Sequence, residues 1–357
     1  MKIQRHHSQS GIALMTVLIV MAGLMAMSFI FAYHIKMEVK LARNASFDAE
    51  FEWLGRSGVE LARYVLANDG TGPGGSQIDS KMNKWAGGPG DTNGVLAGLD
   101  LSNYQLGIGT LSVKIVDQDS KFNINAANEV ILRQALTLIG ADASLTPTVV
   151  DSIMDWRDTD SSQHSSGAES EYYKTLDPPY IAKDAPIDDL TELLLVKGVT
   201  PAMFWGSGAG DHASQVFQRD KARRSNFEEP IYAVGLNDLF TPLSSRLINI
   251  NTATRTVLQI IPEIDENIAS AIITARSGPD GAEGSEDDTP FRSPQELGRV
   301  PGLPPTAVQL FAPYMTVRSL VFELTVKATI GTQTRTYVAM VRRNSQRDIQ
   351  VLNFYWK

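Results

Sequence analysis

The pattern of apolar and polar positions changes period twice along this chain, and each period predicts a different element. From Ile12 to Tyr33 there is no polar face at all: 22 residues pass without a charge, behind a short leader that carries Lys2, Arg5, His6 and His7. At about 1.5 Å per residue a helix of that length crosses a hydrocarbon core of ~30 Å, and a helix satisfies its own backbone there. Beyond it, Phe47, Phe51, Leu54, Gly58, Leu61 and Val65 recur at spacings of three and four, opposite Asp48, Glu52, Arg56, Glu60 and Arg63. This is the period of an amphipathic helix, continuing to about Ala67. Gly55 and Gly58 each cost such a helix ~1 kcal/mol relative to Ala, which a close neighbour would explain.

Residues 68–103 hold nine Gly and two Pro between Gly70 and Gly98 and read as loop. Then the period shortens to two. Leu106–Asp117, Leu320–Ile330, Thr334–Arg342 and Ile349–Trp356 alternate as strands, the middle pair around a turn at Gly331. Strands that flank the middle of the chain on both sides predict one small antiparallel sheet interrupted by a long insertion.

The insertion repeats itself. Phe122-Asn-Ile-Asn125 matches Ile248-Asn-Ile-Asn251, each ahead of a helical pattern, which makes Asn125 and Asn251 candidate N-caps. Glu192-Leu-Leu-Leu-Val196-Lys-Gly198 parallels Glu296-Leu-Gly-Arg-Val300-Pro-Gly302, and both read as a helix, a Val-x-Gly turn and a further helix. The predicted class is α+β: an N-terminal transmembrane and amphipathic helix packed on a small antiparallel sheet, with a large all-α insertion of duplicated helix-hairpin-helix-like units. The expected boundaries are a leader at 1–11, a membrane helix at 12–34, its continuation at 35–67, loop and first strands at 68–120, the inserted domain at 121–315 with repeats at about 121–204 and 247–311, and the last strands at 316–357.

A signal peptide would have a shorter apolar core and a small-residue cleavage site, and an anchor needs only the hydrophobicity. Gly11 at the junction of basic leader and helix, followed by an unbroken amphipathic continuation, resembles the type IV pilin and pseudopilin superfamily. The resemblance implies that a prepilin peptidase cuts between Gly11 and Ile12 and methylates Ile12. The basic leader predicts a cytoplasmic N-terminus, so a single-pass inner-membrane protein with its bulk in the periplasm is expected. The chain has no Cys, so it neither uses disulfides nor reports its redox compartment.

Asp155-Trp-Arg-Asp158-Thr-Asp160, Gly167-Ala-Glu169, Pro178-Pro-Tyr180 and the two Asn-x-Asn copies resemble the protein K family of type II secretion systems. That family's fold is a pilin sheet carrying a large α-domain, and its implied role is to initiate or cap a pseudopilus at its tip during export of folded proteins, together with minor pseudopilins I and J and inner-membrane secretion components. The resemblance also implies a non-acidic fifth mature residue, here Thr16, where most pilins keep a Glu that contacts the adjoining subunit's amine. The loop Ser277–Thr289 has no counterpart in the resemblance.

Two acidic groups are candidate calcium sites, since Ca²⁺ takes six to eight hard oxygens. One comprises Asp155, Asp158, Asp160, Glu169 and Glu171, matching the family's calcium-associated region; the other comprises Asp280, Glu283, Glu286, Asp287 and Asp288. Solvated acidic loops are the alternative for both. Without Cys, and with His164 and His212 isolated in sequence, transition metals fit less well. Helix-hairpin-helix units also grip nucleic acid in many proteins, so a membrane-anchored DNA receptor or uptake pseudopilin is the rival reading. Between Lys121 and Arg318 there are 16 Lys plus Arg against 27 Asp plus Glu, a charge that repels phosphate, although Lys197 and Arg299 sit beside the turns. No His-Glu-x-x-His, Gly-x-Ser-x-Gly or phosphate loop is present, and no enzyme is expected.

Overall fold

The structure is a computed structural model that describes residues 10–69, 78–206, 232–303 and 305–357. Residues 1–9 of the leader and His212 lie outside the described residues.

Helix α1 (Ser10–Asn68) is a single element of 59 residues, ~88 Å long at 1.5 Å per residue. Its first half projects free of the body: the most apolar 18-residue window has a mean hydropathy of 2.4 and none of it is buried. Its second half buries Phe51, Leu54, Val59, Ala62, Val65 and Leu66. The strands are β1 (Tyr104–Leu106), β2 (Gly109–Asp117), β3 (Phe122–Asn123), β4 (Phe240–Thr241), β5 (Ile248–Asn249), β6 (Met315–Thr316), β7 (Val321–Ile330), β8 (Gln333–Ser345) and β9 (Asp348–Trp356). Five of them form an antiparallel sheet in the order β1-β2-β7-β8-β9.

Alternation sets which face of that sheet meets α1. Val113 lies opposite Val326 and Ile115 opposite Leu324 across β2 and β7, and all four are buried. The glycines of α1 mark where helix and sheet come closest. A Cβ built on Gly58 would lie 2.4 Å from Val326 Cγ1, and one on Gly55 would lie 2.6 Å from the Tyr337 ring. Side chains there would push the helix off the sheet, so both positions give up helix propensity for contact.

Residues 118–320 separate the neighbouring strands β2 and β7. They fold around their own apolar core, distinct from the core between α1 and the sheet. The helices are α2 (Glu129–Ile139), α3 (Thr146–Arg157), α4 (Ser170–Tyr173), α5 (Pro201–Trp205), α6 (Leu236–Leu239), α7 (Arg255–Leu258), α8 (Glu266–Arg276) and α9 (Pro305–Phe311). Two short parallel bridges accompany them. β3 pairs with β4, and β5 with β6. Each repeat is therefore opened by its Asn-x-Asn strand and closed by a later one, the first at Phe240–Thr241 and the second at Met315–Thr316.

The duplication is more literal than the sequence suggests, and the role expected of Asn125 and Asn251 is different. The caps are three residues further on: Asn128 accepts from Ile131 N–H at the start of α2, and Thr254 accepts from Val257 N–H at the start of α7. Asn125 instead donates to Ile187 C=O and accepts from Ile187 N–H, at 2.9 and 2.8 Å. Asn251 treats Phe291 the same way, at 2.9 and 2.8 Å. A side-chain amide here imitates a strand partner, latching the first half of each repeat to its second half. Arg157 and Arg276, the last residues of α3 and α8, fork onto the turn carbonyls of Ile124 and Ala127 and of Ile250 and Ala253.

The Val-x-Gly turns are present in both copies. Gly198 and Gly302 have φ of 86° and 85°, the left-handed conformation expected of them. The segments before them, Leu190–Leu195 and Pro294–Arg299, are 3₁₀ helices.

The inserted domain sits at the end of the body remote from the apolar half of α1. Arg343 of β8 donates to Leu66 C=O near the C-terminus of α1 at 3.2 Å, and to Ser319 C=O beside the start of β7 at 2.8 Å. At the opposite end of the sheet, a Cβ on Gly109 would meet Leu54 Cδ1, a full three turns earlier on the helix.

Candidate functional site

The first acidic group converges in the first repeat. Asp155 lies on α3 and is fully buried, and Asp158 ends that helix, its N–H donating to Met154 C=O. The chain then turns so that Asp160 accepts from Ser162 N–H at 2.7 Å, and Glu169 precedes α4. Carboxylate oxygens of Asp158, Asp160 and Glu169 come within 4.8 Å of one another. Gly167 makes that return possible: a Cβ there would lie 2.0 Å from Asp155 Oδ2.

Several oxygens here are not satisfied by the protein. Both carboxylate oxygens of Glu169, and Oδ1 of Asp158 and of Asp184, are buried without a hydrogen-bond partner. Burial, reinforced by the neighbouring Asp160 and Asp155, raises the pKa of Asp158; burial, then Asp155, Asp184 and Asp158, raises that of Glu169. A buried carboxylate without a donor needs a proton or a cation, and several such oxygens in one place fit a hard divalent ion. Glu171 does not join them. It is exposed and paired with Lys174 at 2.7 Å.

Two residues that sequence reasoning left aside belong to this site. His164 pairs through Nδ1 with Asp155, which raises its pKa, and it forms a second group with Asp155 and Asp158 within 4.8 Å. Asp184 lies near enough to Glu169 for its charge to act on it, and its backbone holds a left-handed φ of 51°, which Asp tolerates better than most residues.

The second acidic group is arranged differently. Glu283 bridges Lys81, at 2.6 Å, and Arg276. Asp287 accepts from Asp280 N–H and Ser285 Oγ, and Asp288 accepts from Gly284 N–H, at 3.0, 2.6 and 2.7 Å. Among the described residues, Asp280, Glu283, Glu286, Asp287 and Asp288 form no convergent set of three metal-ligand atoms. The loop is a strut from the second repeat to the residues before the sheet.

The basic residues beside the hairpin turns are likewise used within the fold. Lys197 Nζ donates to Gly167 C=O at 2.9 Å and lies over the Tyr172 ring. Arg299 donates to Thr289 C=O at 2.9 Å and lies over the Phe291 ring. In α1, Gly11 and Ile12 fall in the first turns of the helix, and the Thr16 hydroxyl donates to Ala13 C=O at 2.9 Å.

Comparison with known proteins agrees with this architecture. Residues 109–205 match the family model for type II secretion system protein K, and residues 244–316 match the helix-hairpin-helix motif. Type II secretion system protein K of Klebsiella pneumoniae is 22% identical over 217 residues, and that of Aeromonas hydrophila 24% over 222, covering 56% and 55% of this chain. Each alignment spans 61% of the relative's own length. A chain of the GspK–GspI–GspJ complex from the enterotoxigenic Escherichia coli type 2 secretion system superposes with a TM-score of 0.62 at 17% identity, covering 88% of this chain and 99% of that one. The resemblance to type II secretion system protein K read from the sequence is therefore borne out: the chain carries that family's domain at 109–205 and shares its fold over most of its length.

Proposed function

We propose that this protein is a minor pseudopilin of a type II secretion system that starts or caps the pseudopilus at its tip. The observation that carries this reading is the position of the inserted domain, joined to the body beside Leu66 and Ser319 at the end farthest from the apolar half of α1. Helix-in pilus subunits stack along their long helices, and a bulky domain at the distal end leaves no room for another subunit above it. Thr16 points the same way. Its hydroxyl is bonded within its own helix, whereas a carboxylate held in a bilayer, at ~2.5–3.5 kcal/mol near the centre, is normally kept for a partner.

The solved relative was crystallised with GspI and GspJ, so minor pseudopilins I and J are the partners proposed here. Prepilin peptidase would cut between Gly11 and Ile12 on the cytoplasmic face of the inner membrane, leaving the body in the periplasm. The orphaned oxygens of Asp158, Glu169 and Asp184 support a calcium ion that fixes the loop between α3 and α4. Nucleic-acid binding is disfavoured by the acidic inserted domain and by the internal bonds of Lys197 and Arg299.

Immunogold labelling of an epitope in the inserted domain decides the tip assignment. Label at one end of each pseudopilus is the expected result. Label spread evenly along the shaft would contradict it.

A further inference from the structure

Where the two chain crossings between sheet and inserted domain meet, the protein buries three aspartates against one arginine. Asp79, Asp117 and Asp119 are all nearly inaccessible, and so is Arg343. Arg343 pairs with Asp79. Asp119, in the turn after β2, accepts from Leu320 N–H at 2.6 Å and Val321 N–H at 3.1 Å on the returning crossing, and from Ser245 N–H of the segment between the repeats. Asp117 accepts from Asp119 N–H at 2.8 Å, from Ser319 Oγ at 2.6 Å and from Thr252 Oγ of the second repeat. Both chain crossings and the second repeat therefore meet one of these carboxylates.

The cluster carries more negative charge than its partners can neutralise. If all three aspartates were ionised, Arg343 would leave two buried charges uncompensated, and Asp79 Oδ1 already lacks any partner. The other charged groups nearby do not relieve this. Asp69 adds repulsion toward Asp79, while Lys81 and Glu283, which line a cavity of about 330 Å³ beside Asp117, are paired with each other. A proton in the cluster removes one charge at no steric cost.

The hydrogen bonds around Asp117 accommodate that proton. Ser319 Oγ accepts from Asn249 Nδ2 at 2.7 Å, so its own hydrogen is committed to Asp117. Thr252 Oγ is not so constrained, because Asn249 C=O lies 3.5 Å away as a second acceptor. With Asp117 ionised, Thr252 donates to it. With Asp117 protonated, the carboxyl donates to Thr252 and the hydroxyl turns to Asn249.

We propose that this joint is a proton-operated latch, in which Asp117 and Thr252 hold the inserted domain firmly on the pilin body when the cluster carries a proton and release it into a loosely held state when it does not. Burial, and then the charge of Asp119, lifts Asp117 from its ordinary 3.8 to about 7. A folded-state pKa raised in a carboxylate means that the folded joint binds more protons than the open one, so its stability is greatest at mildly acid pH and falls as pH rises through about 7.

The absence of Cys makes the test direct. In the full chain in detergent micelles, spin labels are placed at Asn267→Cys on α8 and Thr332→Cys in the β7–β8 turn, both exposed, and their separation is measured by pulsed dipolar spectroscopy across the pH range. One narrow distance at about pH 5 that broadens by about pH 8.5 is expected, because the joint loses its proton between them. Asp117→Asn should stay narrow throughout. Thr252→Val, which keeps the charge but removes a donor to it, should move the midpoint upward by about one pH unit. A parent distribution that does not change with pH, or an Asp117→Asn chain that still broadens, overturns the proposal. Should Asp117→Asn fail to fold by circular dichroism, an unmoved midpoint in Thr252→Val overturns it instead.

Discussion

Glu169 is the residue whose chemistry is least complete without a ligand, since both its oxygens are buried and neither meets a donor. An ion that binds the folded form stabilises it by mass action, by ~2.7 kcal/mol at a hundredfold excess over Kd. For a body of this size that corresponds to about 5–10 °C in Tm. EGTA should lower the calcorimetric melting temperature of the calcium-loaded protein by that amount, and the double change Asp158→Ala with Asp160→Ala should make melting insensitive to EGTA. Superimposable melts of the parent with calcium and with EGTA would mean that these carboxylates hold a proton and no calcium. The acidic run Asp155–Asp160 was legible because a Gly/Ser-rich loop dense in carboxylates is unusual next to an apolar helix. Asp184 and His164 were not legible. Their partners are brought to them by chain reversals at Gly167 and after α4, and nothing local in the sequence records those.

Among elements, the repeats show where local reasoning succeeds and where it stops. The period-two runs and the amphipathic stripe of α1 reappear as β2, β7, β8, β9 and the helix itself, because burial on one face dictates period directly. The same holds for Gly58, whose cost in helix propensity is explained by Val326. The latch of Asn251 on Phe291, 40 residues away, could not be found this way: an Asn at the start of a helical pattern has the local signature of a cap whether or not its amide reaches a distant stretch of backbone. Arg157 and Arg276 did leave a trace, as basic residues that end corresponding helices of the two copies ahead of their acidic loops. Replacing Asn251 by Ala leaves the N–H and C=O of buried Phe291 unpaired, each at ~1–3 kcal/mol. A loss of about 2–4 kcal/mol in denaturant unfolding, followed by tryptophan fluorescence, is expected. Asn125→Ala, at a site that is only half-buried, should cost less. Equal losses, or none for Asn251, would show that the amides are incidental.

At the scale of the whole molecule, the long helix, the small sheet and the position of the graft were legible from the order of patterns along the chain, while the handling of charge at the joint was not, because Asp79, the Asp117–Asp119 pair and Arg343 come from three separate segments. Anchoring and processing follow from the N-terminal end. Gly11→Leu should block removal of the leader by prepilin peptidase and leave a product about eleven residues longer on gels, since a membrane-face protease that accepts a Gly before the scissile bond has little room for a branched side chain. An unshifted band, with the parent chain still carrying Met1 or Lys2 at its N-terminus in a host with active prepilin peptidase, would refute the processing assignment. At the other end, Asp117 and Phe322 face each other on the last rung between β2 and β7, so the whole inserted domain hangs from adjacent ends of two paired strands. Such a joint is mechanically one-sided. Tension on the domain would peel the rungs apart one at a time, starting from that pair, whereas thrust would close the joint against the end of α1 and load the entire sheet at once.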